Sequence, residues 1–300
     1  MTSSGSEAPF GRVLTAMATA FAEDGSVDLE GTARIAAHLV DHGHDGVVVS
    51  GTTGESPTTT TAEDGEILRA VKDAVGDRAA VVAGVGTNAT AHSVELARQA
   101  EKLGADGLLL VTPYYNKPSQ AGVLEHFRQV VGASGVPVML YDVPGRTGTT
   151  IAPETYARAA EWESVVAVKD AVGDFARGVA IMEATGLAFY SGDDANNLGW
   201  LAHGAAGCVS VAGHALGDEL RAMTDAHLAG DPAAALASYR RQLPVINAVM
   251  GVANYGATTA KGVLQLLGVL DNRAVRSPLV PLDEEEYAAL RDALSAAGLL

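Results

Sequence analysis

The chain has 300 residues, 48% of them hydrophobic, and carries a formal charge of −16 at pH 7. That acidic balance excludes nucleic-acid binding, which needs clustered Lys and Arg on phosphates, and no apolar run approaches the ~18 residues that would span a bilayer. Cys208 stands alone, so there is no internal disulfide framework, and the polar start Met1-Thr2-Ser3-Ser4-Gly5-Ser6-Glu7 lacks the basic and apolar stretches of a secretion signal. A cytoplasmic protein is expected.

A flexible tail is expected over residues 1–9. Beyond it, short apolar and β-branched runs recur at 12–17, 46–50, 80–84, 107–112, 137–141, 165–169, 187–191 and 207–211, with helix-like segments between them. The runs are near-continuous rather than alternating, as strands covered on both faces require. Gly43-His44-Asp45-Gly46, Gly104-Ala105-Asp106-Gly107 and Gly204-Ala205-Ala206-Gly207 each precede a run. Such a glycine ends a helix in the left-handed conformation and hands the chain to the next strand. Eight βα units predict an α/β fold, a (β/α)8 TIM barrel over residues 1–214, which a chain of this length accommodates as one unit. Residues 215–300 read as a C-terminal helical extension. There Asp231-Pro232 opens a helix, and Pro244, Gly251 and Gly256 are expected to break helices.

In such barrels the chemistry sits where strands end and βα loops begin. Lys169 closes the run Val165-Val166-Ala167-Val168 at that position. Taken alone, a strand-end lysine is most often a solvated side chain. Of the five lysines, however, Lys72 and Lys102 fall in helix-like segments, Lys117 in a Pro-containing loop and Lys261 in a mixed stretch; only Lys169 ends a β-branched run. Desolvation or a neighbouring cation frees its amine to attack a ketone and form a Schiff base. The other loops are rich in Gly, hydroxyl and charge. Gly51-Thr52-Thr53-Gly54 alone is a weak anion nest, and without a P-loop lysine it is no nucleotide site.

Taken in order, Gly51-Thr52-Thr53-Gly54-Glu55-Ser56, Thr112-Pro113-Tyr114-Tyr115-Asn116, Tyr141-Asp142-Val143-Pro144-Gly145-Arg146-Thr147-Gly148, Val168-Lys169-Asp170 and Ser191-Gly192-Asp193-Asp194 resemble the dihydrodipicolinate synthase / N-acetylneuraminate lyase family, close to its synthase branch. The resemblance runs from about Val13 to about Asn272. It implies a lyase in which Lys169 forms an imine with pyruvate. The enamine then attacks L-aspartate 4-semialdehyde, giving 4-hydroxy-tetrahydrodipicolinate on the route to diaminopimelate and lysine. It further implies that Tyr141, Thr52 and Tyr115 form a hydroxyl relay, with Tyr115 supplied by a neighbouring subunit of a homotetramer built as a dimer of dimers. Thr53 is implied to bind the pyruvate carboxylate and Arg146 the carboxylate of the second substrate. The backbones of Gly192 and Val209 are implied to line the pyruvate pocket.

Lysine-inhibited members carry His, His and Glu where this chain has Thr61, Asp64 and His92, although Ser56, Asn88 and Tyr114 remain; weak or absent lysine feedback is therefore expected. No metal and no cofactor are expected, because His38, His42 and His44 have no evident convergent partner. Two other readings compete. One is a related pyruvate-dependent aldolase or lyase acting on sugar acids, against which Arg146 and Tyr114-Tyr115-Asn116 speak. The other is a catalytically inactive barrel that binds a partner, against which a full set of lysine, tyrosine, threonine and arginine speaks.

Overall fold

The computed structural model describes residues 7–300. In its first half, β1 (Val13–Ala16) leads to α1 (Leu29–Asp41), β2 (Gly46–Val49) to α2 (Thr61–Val75), β3 (Ala80–Gly84) to α3 (Thr90–Lys102), and β4 (Gly107–Val111) to α4 (Gln120–Val131). In the second half, β5 (Val138–Asp142) is followed by the short α5 (Pro144–Thr147) and by α6 (Pro153–Ala159). Then come β6 (Val165–Asp170) with α7 (Phe175–Thr185), β7 (Ala188–Ser191) with α8 (Asn197–Ala202), and β8 (Gly207–Ser210) with α9 (Gly213–Leu228). The eight strands form one closed parallel barrel, sealed where Val13 of β1 pairs with Cys208 of β8. Each strand lies within one residue, at either end, of the run that announced it. The glycines expected at the helix-to-strand joints, Gly43, Gly104 and Gly204, have φ of 81°, 77° and 92°, which an L side chain would resist.

Packing divides into shells. Val47, Val81, Leu108, Leu140, Val168 and Phe189 point out of the barrel into the helices. Leu14, Val48, Val82, Leu109, Met139 and Ala167 fill its interior, as the alternation of side chains along a strand dictates. Phe10 and Tyr190 close the end where the strands begin: Phe10 is buried and the Tyr190 hydroxyl donates to the Gly11 carbonyl at 2.9 Å. The two larger cavities open at the other end, where the strands finish.

Past α9 the chain adds α10 (Pro232–Met250), α11 (Ala257–Leu266) and α12 (Glu284–Ala296). Asp231 caps α10 by accepting from the Ala234 amide, with Pro232 in the first turn as expected. Gly251 and Gly256 bound helices, but Pro244 does not: it lies inside α10, which continues through it. A mid-helix proline costs about 3 kcal/mol. Here Gln242, Val245, Ile246 and Val249 flank it in the core, and their burial against α9 and α12 holds the helix together. Helix α9 runs across the junction drawn at residues 214 and 215. Of the expected tail, residues 1–6 lie outside the described residues, while Pro9 bridges to Gly11. Among the described residues, no helix is long and apolar enough to cross a membrane.

Candidate active site

The β5–β6 register sets Tyr141 opposite Lys169 and Asp142 opposite Asp170. Period-two alternation then sends the first pair into the barrel and the second toward the helices. Asp142 is fully buried on that outer side, accepting from the Tyr156 hydroxyl at 3.1 Å, Thr150 Oγ1 at 3.0 Å and the Ile151 amide at 3.2 Å. This network anchors the end of β5 behind Tyr141.

A cavity of about 680 Å³ opens at the strand ends, and Thr52, Thr53, Tyr141, Arg146, Lys169 and Gly192 all border it. Six positions expected from distant parts of the sequence thus meet at one place. Val209 sits in the interior cluster with Tyr141, and Val211 borders the cavity two residues on. Tyr115 borders an adjoining cavity of about 290 Å³ together with Thr52, Tyr141, Ser56 and Tyr114. No hydrogen bond among the described residues joins Thr52, Tyr141 and Tyr115 directly. Tyr115 is 88% exposed with φ of 70°, a left-handed backbone unusual for an aromatic residue.

Lys169 is only 4% exposed, and its Nζ lies over the face of the Tyr141 ring, 4.4 Å from the centroid. Among the described residues no acceptor bonds that nitrogen. Burial pushes its pKa down to about 8; the buried carboxylate of Asp194 pulls it back up and Arg146 adds to the fall. Asp194 is held by Ser210 Oγ, by Asn197 Nδ2 at 3.2 Å, and by the Val211 and Ala212 amides at 2.9 and 2.8 Å. Tyr141 is pushed up to about 12 by burial, so its phenol is a proton donor at neutral pH. Gly192 is required by close approach: a Cβ there would lie 3.1 Å from Lys169 Cγ and 2.9 Å from the Asp170 carbonyl oxygen. The arrangement offers a desolvated amine, a phenol against it and an exposed guanidinium at the rim.

Sequence reasoning missed a second buried amine. Lys261, on α11, donates to Glu55 at 2.5 Å and to the Ala274 carbonyl at 2.7 Å. Glu55 is buried, has φ of 59°, borders the main cavity, and also accepts from the Arg276 amide at 2.8 Å. The extension thereby clamps the loop that carries Thr52 and Thr53. Glu55 stood in the quoted motif, but its partner is 206 residues away and carried no local signal. Around the positions linked to feedback, Thr61 Oγ1 and His92 Nε2 lie 3.2 Å apart, and Asp64 accepts from Thr59 Oγ1 at 2.8 Å. His38 and His42 reach the His214 carbonyl and Asp218 rather than a common point.

Comparison with known proteins agrees over the whole length. The model of the dihydrodipicolinate synthetase family matches residues 9–297. The chain is 58% identical over 298 residues to the 4-hydroxy-tetrahydrodipicolinate synthase of Acidothermus cellulolyticus, covering 99% of this chain and 96% of that one. It is 55% identical to 4-hydroxy-tetrahydrodipicolinate synthase 2 of Streptomyces coelicolor, over 98% and 97% of the two chains. Among solved structures, dihydrodipicolinate synthase from Cyanidioschyzon merolae with lysine bound superposes with a TM-score of 0.94 at 41% identity, covering 98% and 100%. The Acinetobacter baumannii synthase complexed with pyruvate gives 0.92 at 33% identity, covering 98% and 100%. With its barrel, its buried lysine and these relatives in agreement, the chain belongs to the dihydrodipicolinate synthetase family.

Proposed function

We propose that the chain is an enzyme that condenses pyruvate with L-aspartate 4-semialdehyde to give 4-hydroxy-tetrahydrodipicolinate. The observation that carries this reading is Lys169, buried, without an acceptor and facing a cavity that also holds Arg146, in a chain whose relatives bear that synthase name. The free amine attacks C2 of pyruvate, and the carbinolamine loses water to leave an iminium. The iminium draws electrons from the methyl carbon, a proton departs, and the enamine carbon adds to the aldehyde. The amino group of the adduct then attacks C2, closes the ring and releases Lys169 as the free amine.

Each site residue has a role in this scheme. Tyr141, with its ring against the amine, donates and recovers protons at C2, and Thr52 passes them on with Tyr115. Thr53 and its neighbouring amides hold the pyruvate carboxylate, with the Gly192 and Val209 backbones as walls. Arg146 takes the carboxylate of the aldehyde, a planar two-oxygen target suited to guanidinium. Tyr115, exposed and left-handed, serves the neighbouring subunit of a homotetramer in the cytoplasm.

Feedback by lysine is weak or absent in this reading, because Thr61, Asp64 and His92 stand where lysine-inhibited members carry His, His and Glu; strong inhibition by micromolar lysine would contradict it. The reaction itself is tested by a condensation assay with pyruvate and either aspartate semialdehyde or polyhydroxylated sugar aldehydes. A clear preference in kcat/KM for aspartate semialdehyde is expected, and a preference for a sugar aldehyde would overturn the assignment.

A further inference from the structure

The segment between α10 and α11 reaches back over the barrel mouth, where Asn254, Tyr255 and Gly256 border the same cavity as Lys169. It is fixed at both ends. Asn254 Nδ2 donates to the Val280 carbonyl at 3.2 Å, its own carbonyl accepts from Thr258 Oγ1 at 2.7 Å, and the Gly256 amide donates to Thr259 Oγ1 at 3.1 Å. This places the Tyr255 ring under the Arg146 guanidinium, whose central carbon lies 5.1 Å from the ring centroid. Gly256, with φ of 109°, lets the chain turn beside that ring, and a Cβ built on it would still stand 4.0 Å from Arg146 Nη2, so the guanidinium has room there and only the ring face meets it. Among the described residues, no carboxylate or carbonyl takes a hydrogen bond from the Arg146 side chain. Its fork is therefore fixed by a ring face that consumes none of its N–H donors.

We infer that Tyr255 is the positioning residue for Arg146 and so sets the enzyme's selectivity for an aldehyde that carries a carboxylate. The inference rests on the reading of Arg146 given above. An unpaired arginine on a surface turn samples many rotamers, and each must be frozen when an anion binds. A ring face that holds the guanidinium through its quadrupole, and leaves all donors free, removes much of that cost. Carboxylate recognition thus draws on the helical extension as well as on the barrel loop.

The test uses the full-length enzyme and two substitutions. Tyr255→Phe keeps the ring face and should leave both KM values within about twofold of wild type. Tyr255→Leu keeps bulk without the ring, and should raise the KM for aspartate semialdehyde about 3- to 10-fold, the scale of one cation–π contact. The pyruvate KM and the borohydride-trapped pyruvate adduct on Lys169 should stay at wild-type levels, which also shows that the variant is folded. The selectivity for aspartate semialdehyde over an uncharged aldehyde of similar length should fall by the same factor. An unchanged aldehyde KM in Tyr255→Leu, or an equal rise in both KM values, would overturn the role of Tyr255 while leaving the reaction intact. Failure of wild-type enzyme to form the Lys169 adduct would overturn the reading beneath it and the inference together.

Discussion

Lys169 and Lys261 are both buried amines whose pKa burial pushes down to about 8, yet they are built for opposite purposes. Lys261 is enclosed: Glu55 at 2.5 Å and the Ala274 carbonyl accept its N–H hydrogen bonds, and its Nζ sits 4.0 Å from the centroid of the Phe21 ring. Lys169 has only the Tyr141 face beneath it and open volume above. Desolvation alone does not make a lysine a nucleophile. What separates the two is the partner: an amine held by a carboxylate is tied in place, while one without an acceptor and facing open volume can, in its deprotonated form, reach a ketone. With a pKa of about 8, about a tenth of Lys169 is neutral at pH 7, far more than for an exposed lysine near 10.4.

Substituting each lysine by methionine breaks the comparison most severely. Lys169→Met should abolish the pyruvate adduct and lower kcat/KM by at least about 10³-fold, because in the proposed mechanism it removes the amine that makes the covalent bond. The same change removes a buried amine that has no hydrogen-bond acceptor and is only partly offset by Asp194, so urea denaturation should show equal or higher stability, by at most about 3 kcal/mol. Lys261→Met should do the reverse. It strands Glu55 in the interior and should cost about 3–5 kcal/mol of stability, part of which Glu55→Gln in the same chain restores. If both variants lose stability alike, the distinction between the two lysines fails.

Smaller effects sharpen the picture. Tyr141→Phe leaves the ring under Lys169 but removes its proton, and kcat should fall about 10²-fold with little change in the KM for pyruvate. The pH profile follows from sign. The reactive form of Lys169 is deprotonated, so kcat/KM for pyruvate should rise about tenfold per unit from pH 6, bend near 8 and level above it. In Lys261→Met that bend should stay near 8, because Lys261 titrates outside the reaction; its disappearance would show that the two amines are coupled.

How far the sequence foretold this depends on the distance over which each signal acts. Strands buried on both faces must be apolar throughout, so all eight were readable as runs, and with them the position of Lys169 at a strand end. Thr52, Thr53, Arg146 and Gly192 follow those strands and Tyr141 lies near the end of one, which showed where to look, while the family resemblance singled them out. Pro244 misled because local propensity predicts a break, whereas the packing of Val245 and Ile246 into the core outweighs it. Lys261 and Tyr255 were not readable as site elements. Both lie in the extension, and their partners Glu55 and Arg146 are found only once the chain has folded.

Reduction with borohydride in the presence of pyruvate, followed by mass mapping of every lysine, tests the central claim most directly. The adduct should appear on Lys169 alone, with Lys261 unmodified despite its similar pKa. An adduct on Lys261, or none on Lys169, would contradict the claim that the absence of an acceptor, rather than burial, selects the nucleophile.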